Sequence, residues 1–310
     1  MILTVTMNPS IDIAYRLSAF IPDTVSRAEE THKTPGGKGL NVTRVLSAAG
    51  EEVKATGLIG GKNGEFLKEQ LALAQIPASF YPVSGDTRNC IAIMHKGKQT
   101  EILEAGPAVS AEEYRGFTEH FRLLLENCSA AVISGSLPPG IPTDCYARLT
   151  AIACKAGIPV ILDCSGESLK TALEAEDKPI AIKPNIDELC ALLQKEIPKE
   201  TEALKEALSS GIFEGIAWII VSLGADGCFA KHNDTFYLVH IPKIRAVSPV
   251  GSGDAAVAGI ASGIVHGLKD EDLLKKANTF GMLNAMEKQT GTVNMKNYDM
   301  LYRQITVTKV

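Results

Sequence analysis

From residue 110 onward, short runs of unbroken apolar residues alternate with longer amphipathic stretches. That rhythm constrains the fold more than any other feature of the chain. Pro159-Val160-Ile161-Leu162 and Trp218-Ile219-Ile220-Val221 have no polar face to turn to water. Strands of this kind need cover on both sides, and helices on both faces of a parallel sheet supply it. The pattern predicts helices at 110–127, 143–156, 167–175, 186–194 and 201–210. Between and beyond them it predicts strands at 130–134, 159–163, 179–183 and 217–223. Residues 227–248 read as β structure, and 270–288 and 296–304 as helices.

The N-terminal third departs from this rhythm. Ile2–Thr6 reads as a buried strand, but Ile11, Ile13, Tyr15 and Leu17 alternate with Asp12, Ala14 and Arg16, the period of a strand with one apolar face. Residues 24–34 are polar and β-tolerant, and Thr87–Met94 and Thr100–Leu103 look like two strands joined at Lys96-Gly97-Lys98. These segments supply a small second sheet. The expectation is one α/β domain over residues 1–310, a doubly wound, mostly parallel sheet with a β lid built from segments near 11–34 and 87–105. A TIM barrel fits less well, because the non-alternating strands do not make eight even βα units.

Charge and cysteine usage narrow the function. A formal net charge of −5 excludes a broad basic surface for nucleic acid. Seven cysteines, an odd number with no C-x-x-C pair, suit reduced thiols and a cytoplasmic location. The N-terminus lacks the basic region of a signal peptide, and no apolar run approaches the ~18 residues of a membrane span.

Open α/β sheets bind ligands beyond the carboxyl ends of their strands. Asn8-Pro9, Gly36–Gly39, Gly135-Ser136, Lys183-Pro184-Asn185, Ser222-Leu223-Gly224 and the 251–254 loop all fall there. The last is the most informative. In VSPVGSGDAAVAGI (247–260), Gly251 and Gly253 allow a tight turn with bare amides, and Asp254 stands where a helix begins. Such a turn attracts anions, so a carboxylate there makes sense as a base beside a phosphoryl group. As an N-cap, Asp254 would instead contribute about 1 kcal/mol to its own helix. Gly251, Gly253 and Ala256 also satisfy the dinucleotide pattern, but Pro249 interrupts the strand a Rossmann turn requires. Asn185 and Glu188 form N-x-x-E, suited either to a hydrated Mg²⁺ or to a capping box. Arg27 and Arg88 fall in the second sheet, where a buried guanidinium would need an anion. No Walker A motif is present, and the six histidines show no ligand spacing.

With these residues in view, the chain resembles the ribokinase-like sugar kinases of the PfkB family, essentially end to end. Gly36-Gly37-Lys38-Gly39-Leu40-Asn41-Val42 is similar to the family's N-terminal signature, and Ser248–Asp254 to its C-terminal one. Thr6–Asp12 and Thr87-Arg88-Asn89 resemble the branch acting on phosphorylated ketohexoses, and GKQTEILEAGP (97–107) with NPSID is closer to enzymes of tagatose 6-phosphate than of fructose 1-phosphate. The resemblance implies Asp254 as catalytic base, with the amides around Gly251, Ser252 and Gly253 as anion hole. It implies Asp12, Gly37, Asn41 and Ser136 on sugar hydroxyls, and Arg27, Lys38 and Arg88 on the sugar's phosphate. Lys183, Asn185, Glu188, Ser222, Gly224 and Gly227 would line the ATP and Mg²⁺ side, with Asn185 and Glu188 holding the metal through water. A homodimer joined through the lid is implied too. The competing functions are a non-catalytic sugar-phosphate sensor and a Rossmann oxidoreductase.

Overall fold

The computed structural model describes all 310 residues. Its strands run β1 (Ile2–Thr6), β2 (Ser10–Leu17), β3 (Glu30–Gly36), β4 (Val53–Ile59), β5 (Tyr81–Pro82), β6 (Arg88–His95) and β7 (Lys98–Leu103). They continue β8 (Ala130–Ser134), β9 (Val160–Asp163), β10 (Ala181–Ile182), β11 (Trp218–Ser222), β12 (Cys228–His232), β13 (Thr235–His240) and β14 (Thr306–Lys309). The helices are α1 (Lys38–Ala48), α2 (Gly61–Leu73), α3 (Ala111–Leu124), α4 (Cys145–Lys155) and α5 (Gly166–Glu174). After them come α6 (Ile186–Leu193), α7 (Thr201–Leu208), α8 (Ser252–Val265), α9 (Asp270–Ala285) and α10 (Tyr298–Tyr302).

Ten strands form the large sheet, in the order β14-β13-β12-β11-β10-β9-β8-β1-β4-β5. The run from β11 to β5 is parallel, and β12, β13 and β14 extend one side antiparallel. Every residue of β1, β8 and β9 is buried, as their mainly apolar sequences lead one to expect. Successive side chains leave on opposite faces. Leu3, Val5, Ala131 and Ile133 therefore pack with Phe117, Phe121 and Leu204 on one side, while Ile2, Ala130 and Val132 meet Val42, Leu46, Ala258 and Phe280 on the other.

The second sheet has the order β3-β2-β6-β7. Its period of two works as expected: Ile11 and Ile13 join Leu67 and Leu71 of α2 in a third, smaller core. Asp12, on the opposite face, turns toward a cleft shared with the large sheet.

Five elements differ from the sequence expectation. Residues 24–29 form no strand, so β3 starts only at Glu30 and Arg27 sits on an exposed loop. The strand expected at 179–183 shrinks to Ala181–Ile182, because Pro179 and Pro184 bracket it and cannot donate to a ladder. The helix expected at 296–304 is a 3₁₀ turn (Met295–Asn297) followed by the short α10. Beyond it, β14 pairs antiparallel with β13, an edge strand not anticipated. The short β5 beside β4 is the second such addition.

Candidate active site

Helix α8 starts from Gly251, whose φ of 81° places it in the left-handed region. A side chain there would bring Cβ to 2.3 Å from Thr290 Cγ2, so only glycine fits the turn. Ser252 N–H donates to the Pro249 carbonyl at 3.2 Å, and Ala255 N–H begins the helical ladder on Gly251. Between them lie the amides of Gly253 and Asp254, in the first turn where helix geometry supplies no acceptor.

Asp254 does not cap this helix. It is the third helical residue, 7% exposed, and no side-chain cap is formed at Gly251. Its Oδ2 instead accepts a 2.7 Å hydrogen bond from Asn41 Nδ2, reached from α1. Burial raises its pKa to about 6, and the Asp163 carboxylate adds to the rise; the Asn41 bond and the Lys38 and Lys183 ammonium groups only partly offset it. A carboxylate so placed can exchange a proton close to neutrality.

Asn41 is itself oriented. Arg44, one turn along α1, donates from Nη2 to Asn41 Oδ1 at 2.6 Å. Because arginine can only donate, it takes the oxygen end of the amide and leaves the NH₂ end for Asp254. The same guanidinium donates to the Thr290 carbonyl at 2.8 Å and to the Pro35 carbonyl. Asn284, buried in α9, ties the glycine loop down from the other side. Its Nδ2 donates to the Val250 carbonyl, and its Oδ1 accepts from Gly291 N–H, both at 2.8 Å.

Two lysines stand beside the loop. Lys183 follows β10, and a Cβ on Gly253 would lie 3.2 Å from its Nζ. Lys38 opens α1. Both pair with Asp163 at the end of β9, Lys38 at 3.4 Å and Lys183 at 3.8 Å. Asp163 is the principal reason the Lys38 pKa is raised.

The cleft between the two sheets measures about 1260 Å³ and is lined by Asp12, Gly37, Lys38, Asn41, Arg88, Gly251 and Asp254 among others. A second compartment of about 740 Å³ adjoins it at Gly37, Lys38 and Arg88 and includes Ser136. Asp12 is held by a 2.6 Å bond from Ser10 Oγ, and burial raises its pKa. Gly36 makes room for it, since a Cβ there would fall 1.9 Å from Asp12 Oδ1. Arg88 is half-buried but not waiting bare for an anion. It donates to the carbonyls of Asn8 at 3.1 Å and Glu104 at 2.9 Å.

Arg27 lines neither compartment. Lys183, Asn185, Glu188, Ser222, Gly224 and Gly227 also lie outside them, along the ends of β10 and β11, where Asn185 and Ser222 are bridged as neighbours. Asn185 and Glu188 do complete a capping box: Glu188 N–H donates to Asn185 Oδ1 at 2.8 Å, and Asn185 N–H to Glu188 Oε2 at 2.9 Å. Glu188 Oε1 makes no protein hydrogen bond, so the pair can cap α6 and still present an oxygen to a hydrated cation. Gly224, with φ 68°, has no atom within 4 Å of a would-be Cβ, leaving open space above β11.

Three participants, Asp163 and Asn284 buried and Arg44 half-buried, were not foreseen. Asp163 carried a signal, an acid ending a wholly apolar strand; Arg44 carried a fainter one, its i,i+3 spacing from Asn41. Asn284 had none.

The ten-stranded sheet with helices on both faces, the small four-stranded sheet across the cleft and the acid at a glycine-turn helix together define a ribokinase-like α/β fold. The chain belongs to the pfkB family of carbohydrate kinases, whose profile matches residues 5–297. Phosphofructokinase-2 of Escherichia coli in complex with fructose-6-phosphate superimposes with a TM-score of 0.86 at 28% identity, covering 97% of this chain and 98% of that one. A Staphylococcus aureus protein provisionally assigned as a phosphofructokinase gives 0.85 at 30% identity, covering 100% and 99%. A Thermotoga maritima protein provisionally assigned as a 1-phosphofructokinase gives 0.89 at 27% identity, with the same coverage. Membership makes the chain an ATP-dependent sugar phosphotransferase, and the oxidoreductase reading falls. No helix is long and apolar enough to cross a membrane.

Proposed function

We propose that the chain transfers the γ-phosphoryl group of ATP to O1 of D-tagatose 6-phosphate, giving the 1,6-bisphosphate. The observation that carries the reading is Asp254, a buried carboxylate of raised pKa at a glycine turn, opening on a cleft with Asp12 and Arg88 opposite. A sugar-phosphate sensor would not need that carboxylate.

Asp254 accepts the proton of the attacking hydroxyl as its oxygen bonds to the γ-phosphorus and the bond to the β,γ-bridging oxygen breaks. The Asn41 bond occupies Oδ2, which leaves Oδ1 to face the sugar. Amides of the Gly251–Asp254 turn, with Ser252 and Gly253 at its centre, and the Lys183 ammonium stabilise charge on the transferring group. Asp12, Gly37, Asn41 and Ser136 hold sugar hydroxyls. Lys38 and Arg88 meet the phosphate already on the sugar, and Arg27 would join them only by movement of its loop or from a second copy. Ser222, Gly224 and Gly227 receive the nucleotide. Mg²⁺ bound with ATP would neutralise phosphate charge, with Asn185 and Glu188 holding its waters.

Fructose 1-phosphate is the second reading, favoured by the Thermotoga maritima relative. An ADP-release assay over tagatose 6-phosphate, fructose 6-phosphate and fructose 1-phosphate decides between them by kcat/KM. Clear preference for fructose 1-phosphate would move the assignment while leaving base and mechanism intact. Arg88→Ala should raise KM steeply for the preferred sugar phosphate and barely for unphosphorylated tagatose; equal effects on both would remove Arg88 from phosphate binding. Exposed Ile21, Val25 and Ile102 on the small sheet and its loop suit a homodimer through the lid, and the seven free cysteines suit a reducing cytoplasm.

A further inference from the structure

The most unusual group outside the assigned site is Asp163. It is 3% exposed, and its Oδ2 accepts no hydrogen bond of ordinary geometry, so its charge is met by ion pairs. Two ammonium groups flank it, Lys38 on Oδ2 and Lys183 on Oδ1. Both also act electrostatically on Asp254, yet neither pairs with it.

We infer that Asp163 is a positioning residue: its carboxylate draws the Lys38 and Lys183 ammonium groups away from Asp254, so that Asp254 stays free to take a proton. The inference rests on reading Asp254 as the base. Without Asp163, two flexible ammonium groups would face a single buried carboxylate, and a direct ion pair with Asp254 would follow. Such a pair would quench the base and pull the lysines off the phosphates they serve. With Asp163 present, two cations and two carboxylates balance, and both lysines are held at the end of β9.

Every charged group facing Asp254 enters the expected sign. Asp163 from β9 raises its proton affinity; Lys38 from α1 and Lys183 after β10 lower it. Arg44, also on α1, is anchored to carbonyls and Asn41 and does not change place. Asp163→Asn removes the carboxylate that raises it and frees the two ammonium groups that lower it, so both consequences point the same way. The acid limb of kcat/KM should move to lower pH by about one unit, with kcat reduced. Asp163→Glu keeps the charge and should leave the limb close to that of the parent. A purely structural Asp163 would lower the rate at all pH values without moving the limb.

The test is the pH profile of kcat/KM for the preferred sugar phosphate in the parent, Asp163→Asn and Asp163→Glu, with thermal melts alongside. Repeating it in a Lys38→Met background keeps the cluster charge-balanced where Asp163→Asn alone folds poorly. There too, adding Asp163→Asn must lower the limb. An unmoved or raised limb in the background that folds overturns the inference. Asp254→Asn, run in parallel, tests the underlying reading separately: near-normal turnover in that variant sinks the base itself, whatever Asp163 does.

Discussion

Replacing Asn41 by leucine isolates the hydrogen bond that tunes the proton affinity of Asp254. The side chains are similar in size, Asn41 is 6% exposed, and its Nδ2 donates to Asp254 Oδ2 at 2.7 Å. The change therefore removes a charge-assisted bond that a leucine side chain cannot replace. Such a bond contributes about 1.5–3 kcal/mol to the ionised form. At 1.36 kcal/mol per unit, the Asp254 pKa should climb by about one to two units, from about 6 in the parent. The sign is fixed because the lost donor favours the anion only. At pH 7 the ionised fraction would fall from about nine-tenths to between about a half and a tenth. Arg44 loses one acceptor but keeps the Thr290 and Pro35 carbonyls, so α1 stays anchored. The assay is kcat/KM for the sugar phosphate from pH 5 to 9 at saturating ATP. Loss of a sugar contact through Asn41 would depress the whole curve, whereas the electrostatic effect moves its acid limb to higher pH. A depressed curve with its limb in the parental position refutes the reasoning.

Three further perturbations test the site. Asp254→Asn should cut kcat by roughly 10²–10⁴ and also stabilise the fold. A carboxylate whose folded pKa is raised opposes folding once ionised, so its burden is absent below the unfolded value, grows as pH rises from there and is full above about pH 6. Melts at pH 7 should show a gain on the order of 1–3 kcal/mol that vanishes near pH 3; a variant less stable at pH 7 would contradict this. Gly251→Ala, with φ 81° and a 2.3 Å overlap on Thr290, should cost more in urea unfolding than Gly224→Ala, with φ 68° and open space, where only about 1–2 kcal/mol of backbone strain applies. Equal midpoints would mean that the Thr290 loop yields. Glu188→Gln should raise the Mg²⁺ concentration needed for half-maximal turnover while keeping a capping partner for Asn185; overlaid Mg²⁺ titrations would leave the pair a cap alone.

What the sequence shows of the fold depends on how each strand is buried. β1, β8 and β9 are covered on both faces, so each is mainly apolar and polar only at Thr4, Thr6, Ser134 and Asp163, and β2 is covered on one, so it alternates. The edge strands are different. β14 reads Thr-Val-Thr-Lys and gains its one partner only when β13 arrives, and β5 is two residues held beside β4. In the site, residues that belong to local patterns were legible: Gly37 and Asn41 in one glycine-rich turn, Gly251 and Asp254 in another. Asn41 and Asp254 meet across 213 positions, and Arg44 reaches Thr290 across 246, so no local window records either contact. The placement of Arg27 in the second sheet relied on a strand, but its segment has no ladder, and the side chain is exposed.

The glycine turn poses an electrostatic problem that its neighbours resolve. A helix N-terminus stabilises negative charge, yet the charge to be stabilised in transfer is the phosphoryl group's, and a carboxylate in the same turn competes with it. Burial alone would settle this by keeping Asp254 protonated and useless as a base. Asn41 counters with one donor fixed by Arg44, and Lys38 and Lys183 counter from a distance, held there by Asp163. Each opposing influence is modest, and a pKa near neutrality results from their balance rather than from any single contact. That is why substitutions at Asn41 and Asp163, both buried and both short of the reacting atoms' own chemistry, are expected to move the same limb in opposite directions.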